Sequence, residues 1–324
     1  MALALLGIRI LPQSYAFPRG LSIFQTAVDL IRQKVYPSLM DEPQKAPEKS
    51  EREVPQALVA FIDILGYNFV IGKLKNDLEA IKRIETLLKG VSVDLIESIR
   101  TKLSLPEPYD EYARKIFRLI NVRYISDTIL VTLPFSDPGI SSPHFNEREI
   151  LSHCVLCYFD SIAMTCTTFT AKTGLPVRGG IALGSHYENP QNESLFILSE
   201  AYMNAYKLEK QADTPRILID DPVYEFVQGL PLEQLNNFFF VDASGKRCFD
   251  IYAVFISDEH SRTVLSDIKE GVSRNMFENR ENERVLGKLI YFAKFHNEKV
   301  HRLGFDDLAF NLTPVERHLS FLHL

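Results

Sequence analysis

The segment ALVAFIDIL over residues 57–65 constrains this chain most: a short apolar run of strand-forming residues, closed by Gly66 and interrupted by one acid, Asp63. A run of this length and composition reads as a buried β-strand. An ionised carboxylate inside such a strand is unusual unless it is paired or binds a cation. Asp63 is therefore either a ligand group or an acid at the strand's exposed end, turning with Gly66. With 324 residues, 46% of them hydrophobic, the chain has material for a sizeable core around the strand.

The rest of the chain supplies elements to pack around it. Residues 41–55 (DEPQKAPEKSEREVP) are charged and proline-containing, the composition of a surface linker. Residues 1–55 are expected to form an N-terminal extension, with a helix around 21–35, ending in that linker. Residues 69–103 carry apolar positions at three-to-four spacing and predict one or two helices. RLINVRYISDTILV (118–131) predicts two strands reversing at Ser126–Asp127. A long helix is expected over 145–172, stopped by Gly174 and Pro176. A glycine-rich strand follows over 177–185, then a strand-to-helix passage over 194–211 and a strand over 216–219. The remainder reads as a hairpin over 238–255, turning at 243–245, and then helix.

The order β-α-α-β-β-α-β-α-β predicts an α+β fold of the ferredoxin-like, split βαβ kind, with helices on one face of the sheet. The expected division is 1–55 extension and linker, 56–256 central domain, and 257–324 C-terminal helical segment.

Charge and composition narrow the function classes. A net charge of -6 argues against duplex nucleic acid as the main partner, since neutralising phosphates needs clustered cations. A small anionic ligand needs only one local basic pocket. The apolar start is interrupted by Arg9, and no run reaches the ~20 apolar residues of a membrane span, so a cytoplasmic location is expected. Cys154, Cys157, Cys166 and Cys248 fit a reducing compartment. Cys154 and Cys157 form a C-x-x-C within a predicted helix, without a second ligand pair, and are expected as buried thiols rather than a zinc site. The eight histidines show no metal-ligand spacing.

Asp127 falls at the hairpin tip, a place where an Asp is often only a turn residue. In a β-α-α-β-β arrangement, however, the hairpin pairs beside the first strand. The hairpin tip and the end of that strand then approach each other despite their separation in sequence. Two carboxylates meeting at one sheet edge form a hard oxygen site suited to Mg²⁺ or Mn²⁺ with a bound polyphosphate. Two such ions can activate an attacking hydroxyl and neutralise a leaving group.

FIDILGYN (61–68), RYISDTILV (123–131), VRGGIALG (177–184) and AYMNAYKLE (201–209) occur in the order of four motifs of class III adenylyl and guanylyl cyclases, and resemble them. The ISDT hairpin, the departures described below and the chain's size resemble the bacterial pyrimidine cyclases of Pycsar antiphage defence, which make cyclic UMP or cyclic CMP. The resemblance implies a ferredoxin-like class III nucleotidyl cyclase domain using two divalent metal ions, Mn²⁺ or Mg²⁺. Asp63 and Asp127 would bridge the ions, with the carbonyl of Ile64 as a further ligand. The amides of Leu65, Gly66 and Tyr67 would cradle the triphosphate.

Lys207 stands where the family has its transition-state arginine, keeping the charge but losing the bidentate fork. The family's asparagine falls on Met203; Asn204 is its neighbour, about 100° around a helix. Arg123 occupies the base-selecting position, Lys in adenylyl and Glu in guanylyl cyclases. A guanidinium only donates hydrogen bonds, which suits the acceptors of uracil or cytosine and not the N1–H and N2–H₂ of guanine.

Tyr67 offers an aromatic face to a base or ribose, or is a core residue. Arg178, beside Gly179–Gly180, is either a phosphate contact or a surface arginine. Lys246 and Arg247 lie near the family's phosphate-binding lysine, or are simply solvated at a turn. Because class III cyclases build each site across a dimer interface, one chain with one copy of each motif implies a symmetric homodimer. The expected reaction converts UTP to cUMP and pyrophosphate. The alternatives are a cytidylate or purine nucleotide cyclase, or an inactive cyclase-like nucleotide-binding module. A diguanylate cyclase wants a G-G-[DE]-E-F hairpin, and this chain has Ile125-Ser126-Asp127-Thr128.

Overall fold

The computed structural model describes residues 54–67, 115–135, 145–189 and 196–313, with Leu78, Glu79, Lys82 and Thr86. The expected extension and linker before residue 54, and most of the helical region over 69–103, lie outside the described residues.

Strand β1 (Gln56–Ile64) is buried along almost its whole length. It pairs antiparallel with β3 (Thr128–Pro134) on one side and with β4 (Val177–Asn189) on the other. β2 (Asn121–Ile125) pairs antiparallel with β3 at the edge. The order β2-β3-β1-β4, antiparallel at every step, is the ferredoxin-like arrangement of two split units. β5 (Phe196–Ser199) pairs with the far end of β4, while β6 (Ile217–Ile219) runs parallel to its start. β7 (Phe239–Val241) and β8 (Arg247–Phe249) complete a mixed sheet of eight strands among the described residues, so the fold is α+β.

Helix α1 (Glu147–Thr173) opens on a capping box between Asn146 and Glu149. Its side chains Val155, Phe159 and Ile162 belong to the same core as Leu58, Ala60, Ile62 and Ile64 of β1. Each such large apolar side chain contributes roughly 1.5–3 kcal/mol on full burial. By length and composition α1 is also apolar enough to cross a membrane, but 89% of its apolar window is buried inside this fold, which makes it a core helix. All four cysteines are buried, and burial raises their thiols, Cys154 to about 12.

The expectation of helices on one face is corrected here. α2 (Glu200–Gln211), capped by Ser199, lies on the opposite face, where Ala201 and Ala205 pack on Ala57, Val59 and Phe61. Alternate residues of β1 thus enter two different cores, the physical reason its sequence is apolar without alternation. The approach of α2 is close: a Cβ at Gly180 would stand 2.3 Å from the carbonyl oxygen of Ala205. Gly180, and Gly184 one turn of the helix further along, where a Cβ would stand 3.1 Å from the Ala201 nitrogen, are what let the helix sit directly on β4.

α3 (Asp221–Gln228), capped by Asp220 and carrying proline in its first turn, was not among the expected elements. The C-terminal α4 (Glu259–Glu278) and α5 (Glu283–Arg302) share the α1 core through Leu265, Val272, Phe292 and Val300. α5 is tied to the turn after β8 by a buried Lys299–Asp250 ion pair and by a 2.9 Å hydrogen bond between the Tyr252 hydroxyl and His296 Nδ1. Burial lowers His296 to about 4 and keeps it neutral.

Candidate active site

The β1–β3 pairing carries Asp63 and Asp127 to one end of the sheet. Asp63 stands opposite Thr128 in register, and the Ile64 amide donates to the Asp127 carbonyl at 2.9 Å. Asp127 lies in the tight turn between β2 and β3, after Ser126, whose φ is 59°. A non-glycine residue in that region costs about 1 kcal/mol and persists where its surroundings fix it. The next amide along β1, that of Leu65, donates to Pro176 at 3.0 Å, and Gly66 takes the chain away with φ 84°. The chain between β1 and Tyr67 is therefore held between the hairpin and the start of β4.

Burial raises the Asp63 carboxyl above its ordinary range; Arg178 opposes this, and Glu209 and Asp127 add to it. The Tyr67 phenol is raised by burial and by Asp127, so all three groups share one neighbourhood. Arg178 holds Asp63 directly, its Nε donating to Oδ2 at 2.9 Å. The other end of the same guanidinium pairs with Glu209 of α2 at 2.7 Å. Glu209 is fully buried and is also 3.1 Å from Lys210. Arg178, read from sequence as a phosphate contact or a surface arginine, is thus a clamp between β1 and α2. Asp63 is oriented by it rather than left free.

Other expected residues lie elsewhere. Arg123, on the edge strand β2, faces the same side of the sheet as Phe61, with which it lies in register through Leu130. There it forms an ion pair with Glu188, which the end of β4 brings over this face. His186 is 3.5 Å from the same carboxylate. The His186 hydrogen bond and then Arg123 hold Glu188 below the usual carboxylate range, against the effect of burial. Lys207 is exposed on α2 and forms no ion pair among the described residues; Met203 is 49% exposed one turn before it. Asn204 is half-buried beside it. Arg247 pairs with Asp221 and stacks on Tyr224, and Lys246 reaches the Gln211 carbonyl.

Sequence reasoning missed Glu209, which reaches Asp63 through Arg178, and Glu188 and His186, which hold Arg123. The buried E in AYMNAYKLE was visible as a charge on a helix, but nothing local showed that it faces Arg178.

The donor set fits a hard divalent cation. Among the described residues no third His, Cys, Asp or Glu joins the two aspartates. Two carboxylates completed by a main-chain carbonyl and by phosphate oxygens are the mode in which Mg²⁺ is usually held with nucleotides. The negative charge that Asp127 adds beside Asp63 is what such an ion would offset.

No protein-family model and no curated protein matches this chain. Among solved structures, it is similar to the dimeric guanylyl cyclase domain of the RhoGC fusion protein from the aquatic fungus Blastocladiella emersonii, at 14% identity over 60% of this chain and 93% of that one, TM-score 0.33. It is similar also to the guanylate cyclase domain of RhGC from Catenaria anguillulae in complex with GTP, at 15% identity over 60% and 94%, TM-score 0.32. The adenylyl cyclase CyaB from P. aeruginosa gives 14% identity over 60% and 94%, TM-score 0.32. Similarities at this level carry no inference about activity.

Proposed function

We propose that the chain is a nucleotidyl cyclase that converts a pyrimidine nucleoside triphosphate, UTP by preference, to the 3′,5′-cyclic monophosphate and pyrophosphate. The observation that carries the reading is the juxtaposition of Asp63 and Asp127 by the Ile64–Asp127 main-chain bond. These residues, with the Ile64 carbonyl, would hold two divalent ions, Mn²⁺ or Mg²⁺. When bound, the ions would promote ionisation of the ribose 3′-hydroxyl and neutralise charge on the departing pyrophosphate. In the reaction O3′ forms a bond to the α-phosphorus, the bond from that phosphorus to the bridging oxygen breaks, and the hydroxyl proton passes to solvent.

The protein's own contribution is positioning and charge. Arg178 fixes the rotamer of Asp63. The amides of Leu65, Gly66 and Tyr67 follow the carboxylate along the chain and would take the triphosphate oxygens, although that of Leu65 donates to Pro176 in this structure. Arg123 would present donors to the O2 and O4 acceptors of uracil, with Glu188 and His186 steadying its guanidinium.

Lys207 and Asn204 would act on the site of a second copy, giving a homodimer with two sites. Support for this comes from exposed apolar side chains: Tyr187, Phe196 and Leu198 share one face of the β4–β5 ribbon, and Met203 and Tyr206 are exposed on α2, on either side of Asn204 and next to Lys207 in sequence. An apolar stretch of this kind, beside an uncommitted lysine, suits a self-complementary interface. As in the pyrimidine cyclases it resembles, the chain would make its cyclic nucleotide in the cytoplasm, as a second messenger of antiphage defence.

Incubation of the purified protein with each of ATP, GTP, CTP and UTP and Mn²⁺, with products resolved by mass, tests the reading. A cyclic monophosphate from UTP above the others is expected. Absence of any cyclic product from folded, dimeric protein would leave a nucleotide-binding module in its place.

A further inference from the structure

If the chain is a cyclase, as proposed above, a further group of its site comes from α5, a helix outside the sheet. Val177 opens β4 opposite Ile64, next to the Asp63–Arg178 pair. Val177, Arg216, Ile217, Tyr291 and Phe295 line one narrow cavity, so α5 runs against the start of β4 at the end of the sheet where the two aspartates lie. Lys288 lies one turn before Tyr291, and Arg284 one turn before Lys288. Helical spacing places the three on one stripe of α5.

Lys288 is half-buried, and Arg178, Asp63 and Asp213 are all near enough to act on its charge. Yet among the described residues it forms no ion pair. Asp63 is committed to Arg178, and Glu209 to both Arg178 and Lys210, while Asp213 is exposed and forms no ion pair with Lys288 among the described residues. Holding an ammonium half out of water without a direct partner is unfavourable. A polyphosphate arriving at Asp63 and Asp127 would add more negative charge than Arg178, already engaged, could offset. The uncommitted cation at the rim of the site answers that need.

We propose that Lys288, with Arg284 one turn behind it, is a triphosphate-binding cation of the Asp63–Asp127 site, supplied by α5 of the same chain and directed at the phosphates that leave as pyrophosphate. The residue acts on the substrate's charge and takes no proton. Its contribution is distinct from that of Lys207, which sits on the exposed side of α2.

Calorimetric titration of inorganic tripolyphosphate with Mg²⁺ into the full-length protein tests this without turnover, using wild type, Lys288→Gln and Lys288→Arg beside thermal melts. Loss of one charged contact is expected to weaken binding about tenfold or more in Lys288→Gln, with Lys288→Arg within about threefold of wild type and both melting as wild type does. Equal affinity of wild type and Lys288→Gln overturns the proposal and leaves the cyclase reading standing. Absence of binding by wild type also overturns it, and a test of the same sample for cyclic product then decides whether the cyclase reading falls with it. Should Lys288→Gln fail to fold, Arg284→Gln at the exposed end of the stripe is the second variant; a loss of about threefold supports the proposal and no loss overturns it.

Discussion

Asp160, in the middle of α1, has both carboxyl oxygens buried and without a hydrogen-bond partner among the described residues. Burial raises its carboxyl from the ordinary 3.8 to about 8. At neutral pH the folded protein therefore keeps a proton that the unfolded chain releases. Well below pH ~4 both states are protonated and the group makes no difference to stability. Between pH ~4 and the folded value the native state binds more protons than the unfolded one, so stability falls as pH rises, by about 1.4 kcal/mol per unit. Above the folded value the loss is complete. Asp160→Asn keeps the shape of the protonated acid and removes the titration. Urea melts of wild type and variant at pH 5 and pH 7 are expected to show wild type losing about 2.7 kcal/mol more than the variant over that interval, with the variant the more stable at pH 7. Parallel pH dependence in the two proteins would show that Asp160 is ionised in the fold, and the reasoning from burial would be wrong.

Arg178→Gln should leave the buried Glu209 with Lys210 alone and destabilise the protein by about 3–5 kcal/mol in urea melts, with Glu209→Gln in the same chain restoring part of the loss. A destabilisation no greater than a surface substitution would mean that Arg178 does not clamp α2. Arg123→Ala should broaden the set of triphosphates converted while leaving the Mn²⁺ dependence unchanged; equal losses with all four substrates would remove Arg123 from base reading. Leu198→Glu, which places a charge in the exposed apolar face of β5, should shift the protein from dimer to monomer in sedimentation and lower activity with it. An unaltered dimer would place the interface elsewhere.

The parts of this fold that could be read from sequence are those whose signals are local. β1, the turn at Ser126–Asp127, the start of α1 at Asn146 and its end at Gly174 are all set by apolar runs and turn or cap residues within a few positions. The meeting of Asp63 and Asp127 followed from the strand order alone. α3 was missed because it is short and its opening Asp-Asp-Pro resembles a loop, although Asp220 and the following proline form a cap signal. Placing helices on one face failed because α2 packs through alanines against Gly180 and Gly184 of β4, which leaves only a weak apolar pattern on the helix. The partners of the site residues were illegible for another reason: Arg178–Glu209 and Arg123–Glu188 join residues from elements distant in sequence, and charge at any one of these positions reads equally well as solvated surface.

The most direct test of the account compares wild type with Asp63→Asn and Asp127→Asn, substitutions that keep side-chain shape and remove the charge a cation needs. Each protein is incubated with UTP and Mn²⁺ and the product identified by mass, with a thermal melt as the fold control. The account expects cyclic UMP from wild type and none from either folded variant. Near-normal cyclic product from either variant would contradict it.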